Sequence, residues 1–151
     1  MNDGPGMSLI VRMVSRWLLG FVFVYGLGVA LFGHLTPGGG FVGGVVVACA
    51  LVMSILAFGG KQGPGAFLAR AVTTLDAAGA LMFLALALFG YVAGCFFTNW
   101  IARGEPATFG STWFVILMNV AILVKVGAGA FAGFLAIVAF GHILDAEEGR
   151  P

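Results

Sequence analysis

Lys125 stands in the middle of the apolar run LMNVAILVKVGAGAF, and Asp76 stands within VTTLDAAGALMF. An ionisable side chain with such neighbours must pair with an opposite charge, face water or change protonation state, so these two residues are the best suited to handling protons or cations. Two readings of Lys125 are open: a site on an ion pathway, or a fixed counter-charge to a carboxylate of a neighbouring protein. At ~1.5 Å of rise per residue, Asp76 lies about 13 Å from the start of its helix near Phe67, and Lys125 about 20 Å from the start of its own near Thr112. The two are therefore expected at different depths, and a direct ion pair between them is not assumed. His34, beside a Thr-Pro-Gly-Gly-Gly turn, could relay protons or be an ordinary interfacial polar residue. Little else offers chemistry. No nucleophile stands with a base, no His, Asp or Glu cluster has metal-ligand spacing and no phosphate loop is present, so neither enzymatic activity nor a cofactor or metal is expected. The run GAGAFAG at 127–133 has the wrong spacing for a dinucleotide loop and no strand before it. Cys49 and Cys95 lie in apolar runs and read as small buried packing residues.

The elements that hold these residues are set by composition. Of 151 residues, 61% are hydrophobic and 9% charged, and the mean hydropathy is +1.11, which excludes water as the solvent for most of the surface. A net charge of +1 provides no field for nucleic acid. Charges and breakers divide the chain into apolar segments at about 9–33, 41–58, 67–99 and 112–143, each close to the ~20 residues needed to cross hydrocarbon. The expected architecture is an all-α membrane protein of about four transmembrane helices, a single membrane domain over 1–151. Arg12 and Arg16 precede the first apolar core as in a signal peptide, but that core is too long and no small-residue cleavage site precedes Pro37, so it is read as a helix. The connections HLTPGGG (34–40), GGKQGPG (59–65) and RGEPATFG (103–110) are short and force antiparallel neighbours. The ends beyond Met7 and Asp145 read as short polar tails. Arg12, Arg16, Lys61, Arg70 and Arg150 fall on one side against Arg103 on the other, so both termini are expected to be cytoplasmic.

Small residues set how the helices meet. The pairs Gly39/Gly43, Gly40/Gly44, Gly90/Gly94 and Gly129/Gly133 have the four-residue spacing that lets backbones approach closely, within the chain or against sister subunits. In HLTPGGGFVGG, Thr36 is expected to cap the second helix, with Pro37 in its first position and Gly38 to Gly40 leaving its start bare. Such a start could accept a carboxylate or lipid phosphate, and contact with another subunit's backbone is the favoured expectation.

The stretch GHLTPGGGFVGGVVVACAL at 33–51 closely resembles the signature of the B-type (MnhB/MrpB-like) subunits of Mrp-family cation/proton antiporters, in which a GH-x-x-PGGGF-x-GG turn joins the first two helices. Thr36, Pro37, Gly38, Gly39, Gly40, Phe41, Gly43 and Gly44 make up that turn here. The similarity continues through LDAAGALMF, FFTNW and LMNVAILVKVGAGAF to about His142. The second half looks more like the versions built into membrane-bound hydrogenases and their sulfane-reductase relatives. In the free-standing antiporters the last helix tends to carry an acidic residue near the place of Asn119 and Lys125. The resemblance implies a small, cofactor-free subunit of the prokaryotic cell (inner) membrane. It would sit in lipid as an obligate partner of other Mrp-type membrane subunits, in a module exchanging Na+ or another cation for H+. Two alternatives stand beside it: the same module within a redox-driven complex, and a purely structural spacer.

Overall fold

The computed structural model describes residues 9–35, 37–58, 66–97 and 109–148. They form four long helices, α1 (Leu9–Leu31), α2 (Gly39–Phe58), α3 (Ala66–Phe89) and α4 (Phe109–Glu148), with a short 3-10 turn, Gly90–Ala93, at the end of α3. Each long helix contains a stretch long and apolar enough to cross a membrane, and no strand occurs among the described residues. The connections 59–65 and 98–108, together with Thr36, Lys61, Arg103 and Arg150, lie outside the described residues.

Spatial order differs from chain order. Helix α1 packs on α2, α2 on α4 and α4 on α3, with a light contact between α1 and α4, whereas among the described residues α3 makes no close backbone approach to α1 or α2, Val72 sharing a cluster with Ala48 around Phe131 and Leu135. Glycines set the direction of each contact. Gly26 backs onto Gly43 and Gly33 onto Gly39, so α1 and α2 are antiparallel. Gly40 meets the backbone of Asn119 and Gly44 that of Leu123, so α2 and α4 run parallel side by side. Gly79 meets the backbone of Lys125 and Gly129 the Asp76 carboxylate, so α3 and α4 are antiparallel.

The core is thin and built from small residues. Ala30, Ala48, Ala50, Ala57, Ala87 and Ala121 are buried, and a few larger side chains such as Phe114 and Phe131 join them. Lipid tails are as apolar as leucine, so helices associate in a bilayer through close backbone packing rather than a thick oily interior. Only 11% of the apolar window of α1 is buried, which leaves most of that helix to lipid or partners.

Two expectations are corrected here. The sequence predicts a continuous third segment over 67–99, but the α-helix ends at Phe89. Gly94 adopts a left-handed conformation (φ 106°) after the 3-10 turn, and the chain folds back so that the Phe97 ring lies 5.7 Å from that of Phe83. Hydropathy reports solubility in lipid and not helicity, so the aromatic return was invisible to it. Second, Cys49 and Cys95 are free and exposed rather than buried; apolar flanks mark a lipid-facing surface as readily as a core. Gly94 and Gly133 have no atom within 4 Å of where a Cβ would stand, so of the two readings of the glycine pairs, contact within the chain or against sister subunits, the described residues leave these two glycines without contact within the chain.

Candidate functional site

The close approach of α3 and α4 creates the principal polar site. A Cβ on Gly79 would lie 2.7 Å from the Lys125 backbone nitrogen, so only a residue without one lets the two helices meet at that level. From there the Lys125 side chain extends about one turn along α3, and Nζ donates to both Asp76 carboxylate oxygens, at 2.7 Å each. This overturns the expectation that the two residues lie at different depths and adds a direct pair that the sequence did not assume. The depths of ~13 Å and ~20 Å were counted from opposite membrane faces; their sum is close to the ~30 Å hydrocarbon thickness, which places both near one level. The lysine stem spans what difference remains.

The pair sits at the side of the bundle. The side chains of Lys125 and Asp76 are 46% and 30% accessible in the isolated chain. Gly129 lies alongside, its absent Cβ only 3.1 Å from Asp76 Oδ1, and Gly133, one turn further along α4, faces open space. An ammonium and a carboxylate at mid-bilayer depth are costly even when paired, and each needs polar or protein surroundings on its open side. The arrangement joins one positive and one negative group through two short charge-assisted hydrogen bonds. Among the described residues, no three His, Cys, Asp or Glu side chains converge as a metal site would require.

A second polar site lies at the start of α2. Val42 N–H donates to Gly38 C=O at 3.2 Å, which makes Gly38 the N-cap and Gly39 the first helical residue. Pro37 therefore precedes the helix rather than opening it, a correction to the expected placement. Gly38 (φ 120°) and Gly39 (φ 49°) occupy left-handed conformations that side-chain-bearing residues rarely adopt. Capping comes from another helix: Asn119 of α4 accepts the Gly40 N–H on Oδ1 at 3.2 Å, doing what the side chain of an N-cap residue normally does. The bare helix start is thus filled from within the chain and is not left open for a neighbouring subunit, because Gly39 and Gly40 are buried against Asn119.

The remaining signature residues divide between packing and surface. Gly43 packs on α1 and Gly44 on α4, while the Phe41 side chain projects outward, 61% accessible. His34 occupies the turn between α1 and α2, half-buried, and its Nδ1 is enclosed without a hydrogen-bond partner among the described residues, as is Asn119 Nδ2. His34 is not brought to Asp76 and Lys125, which pair with each other. The sequence reading missed Asn119 as a cap. Its signal was present: it is the one carboxamide within the apolar span Trp113–Gly141.

Comparison with known proteins adds an independent finding. A family described as a domain related to the MnhB subunit of Na+/H+ antiporters matches residues 10–132. An uncharacterized protein of Methanocaldococcus jannaschii is 36% identical over 137 positions, covering 83% of this chain and 51% of the relative. Proteins of Staphylococcus saprophyticus and Staphylococcus aureus, which carry the provisional name antiporter subunit mnhB2, are similar over shorter stretches. The first is 35% identical over 55 positions, or 36% of this chain and 39% of the relative. The second is 34% identical over 51 positions, or 34% of this chain and 36% of the relative. The chain thus spans about half the length of the archaeal relative, and its match to the staphylococcal ones covers less than two fifths of theirs.

Proposed function

The chain belongs to the family of domains related to the MnhB subunit of Na+/H+ antiporters, and from that premise we propose that it is a non-catalytic membrane subunit of a multisubunit cation/proton antiporter module, bordering the ion route with Asp76 and Lys125. It is a multi-pass protein of the prokaryotic cell membrane, its four apolar helices being the crossings. The observation that carries the proposal is the ion pair, close to mid-bilayer depth and open along one side of a four-helix chain. Lipid does not solvate such a pair, so the α3–α4 edge is covered by another membrane subunit or by the water it encloses. There a cation arriving at Asp76 takes the place of the ammonium as Lys125 gives up its proton, and Lys125 takes a proton back when the cation leaves, so the site stays neutral throughout. Arg12, Arg16 and Arg70 gather at the end opposite the His34 turn, which supports cytoplasmic termini.

A fixed structural pair is the competing reading, favoured by the fact that Lys125 already finds its carboxylate within the chain. The two readings part in the neutral double variant Asp76→Asn/Lys125→Met. Either single substitution strands a charge and is expected to weaken assembly, while the double removes both charges and restores it. If the pair borders the ion route, the restored complex still loses coupled exchange by at least about tenfold, and Lys125→Arg loses it too where a proton must leave, because arginine effectively never gives one up. Full cation/proton exchange by an assembled double variant would overturn the ion-route role. The host complex is identified by its co-purifying subunits. A hydrogenase-like pair among them marks the redox-driven alternative, which the Asn119 and Lys125 departure from the free-standing antiporter pattern favours.

A further inference from the structure

At the end of the bundle away from the glycine turn, a cleft of about 400 Å³ opens between the first turns of α1 and the last residue of α2, lined by Leu9, Arg12, Met13, Arg16, Trp17 and Phe58. Arg12 and Arg16 are one turn apart on the same face of α1. The Arg16 guanidinium lies over the Phe58 ring, 5.9 Å from its centroid, a cation–π contact. The ion pair found among the described residues is Asp76–Lys125, so neither guanidinium has a carboxylate partner among them. Trp17 is 84% accessible at the level where the basic residues give way to the apolar core, the depth of lipid headgroups that tryptophan prefers.

We propose that this cleft binds the headgroup of an anionic phospholipid. Arg12 and Arg16 hold the phosphate through charge-assisted, fork-shaped hydrogen bonds, and the upper part of an acyl chain lies along Met13, Trp17 and Phe58. The lining decides between a lipid and a free phosphate. Four of its six residues are apolar and continuous with the lipid-facing surface of α1, and inorganic phosphate would leave all four uncovered. Basic pockets between transmembrane helices on the cytoplasmic side recognise anionic lipids by this combination. The inference does not rest on the ion-route role of Asp76 and Lys125.

The test uses the intact complex carrying the full chain, reconstituted in lipid nanodiscs containing brominated phosphatidylglycerol or brominated phosphatidylcholine at equal mole fraction. The readout is quenching of Trp17, isolated as the difference between this complex and the Trp17→Phe complex. Brominated phosphatidylglycerol is expected to quench Trp17 more strongly. That preference should weaken about fivefold for each guanidinium removed, hence about 25-fold in R12Q/R16Q, and persist in R70Q, which removes a charge from the same end without touching the cleft. Equal quenching by the two lipids overturns the proposal, as does an equal loss in R70Q, which would mark a general surface potential. Displacement of the lipid by inorganic phosphate at constant ionic strength also overturns it. Should R12Q/R16Q fail to assemble, R12K/R16K decides: a preference weakened more than twofold supports the site, and an unchanged one overturns it.

Discussion

At the scale of single residues, Asn119 ties one helix to the start of another. Its carboxamide reaches the Gly40 N–H across the α2–α4 contact, so removing it leaves a helix-start donor unsatisfied in an apolar setting. Asn119→Ala is expected to cost ~1 kcal/mol, the usual worth of an N-cap, read as a lower unfolding midpoint of the purified complex in denaturant titration. An unchanged midpoint would remove Asn119 from the capping role. The sequence made the residues of the main site legible one at a time, because an intramembrane charge announces itself by its neighbours alone. What it concealed was pairing. Asp76 and Lys125 lie on different helices, 49 residues apart in the chain, and their common level follows from the α3–α4 register, which Gly79 sets. Asn119 was hidden for a related reason, since capping is normally sought within a few residues of the helix start.

At the scale of elements, glycine governs which surfaces close. A Cβ at Gly43 would stand 2.6 Å from the Gly26 carbonyl oxygen and 2.9 Å from Ala30 Cβ, both part of α1. A larger side chain there forces α1 away from α2, at a cost of ~1–3 kcal/mol or more for overpacking. Gly43→Leu should therefore abolish assembly, while Gly28→Leu, on α1 but with nothing within 4 Å, should assemble normally; blue-native electrophoresis of the two membranes distinguishes them. Comparable loss in both variants would show that α1 is covered by a partner at Gly28 instead. The four-residue spacing identified Gly39/Gly43 and Gly40/Gly44 as contact pairs but could not assign a partner to each. In the fold, adjacent glycines serve opposite neighbours: Gly43 faces α1, and Gly44 faces α4. Helix number and approximate extent were legible from apolar length; the end of α3 was not, because the aromatic return through Phe97 is as apolar as the helix before it.

At the scale of the whole molecule, orientation follows from topology once one end is placed. Antiparallel α1–α2 and α3–α4 contacts put the turn after α3, with its exposed Cys95, at the same end as the His34 turn. If the termini are cytoplasmic, a membrane-impermeant maleimide should label Cys95 in right-side-out vesicles and leave Cys49, about 15 Å along α2 from Gly39, unlabelled. Labelling of Cys95 in inside-out vesicles alone would reverse the orientation.

The spatial order of the helices also makes the subunit electrically uneven. Parallel neighbours α2 and α4 both begin at the His34 end, and each helix start carries about half a positive elementary charge, with the balancing negative charge at its far end. Their macrodipoles add, whereas those of antiparallel α3 and α4 oppose one another at the Asp76–Lys125 edge. The two positive ends are not level: Gly40 near the start of α2 meets Asn119, ten residues after the start of α4 at Phe109, so the α4 start stands about 15 Å beyond that of α2. The same stacking order that buries the glycine turn thus gives the subunit two positive helix ends on one side, stepped along the helix axis.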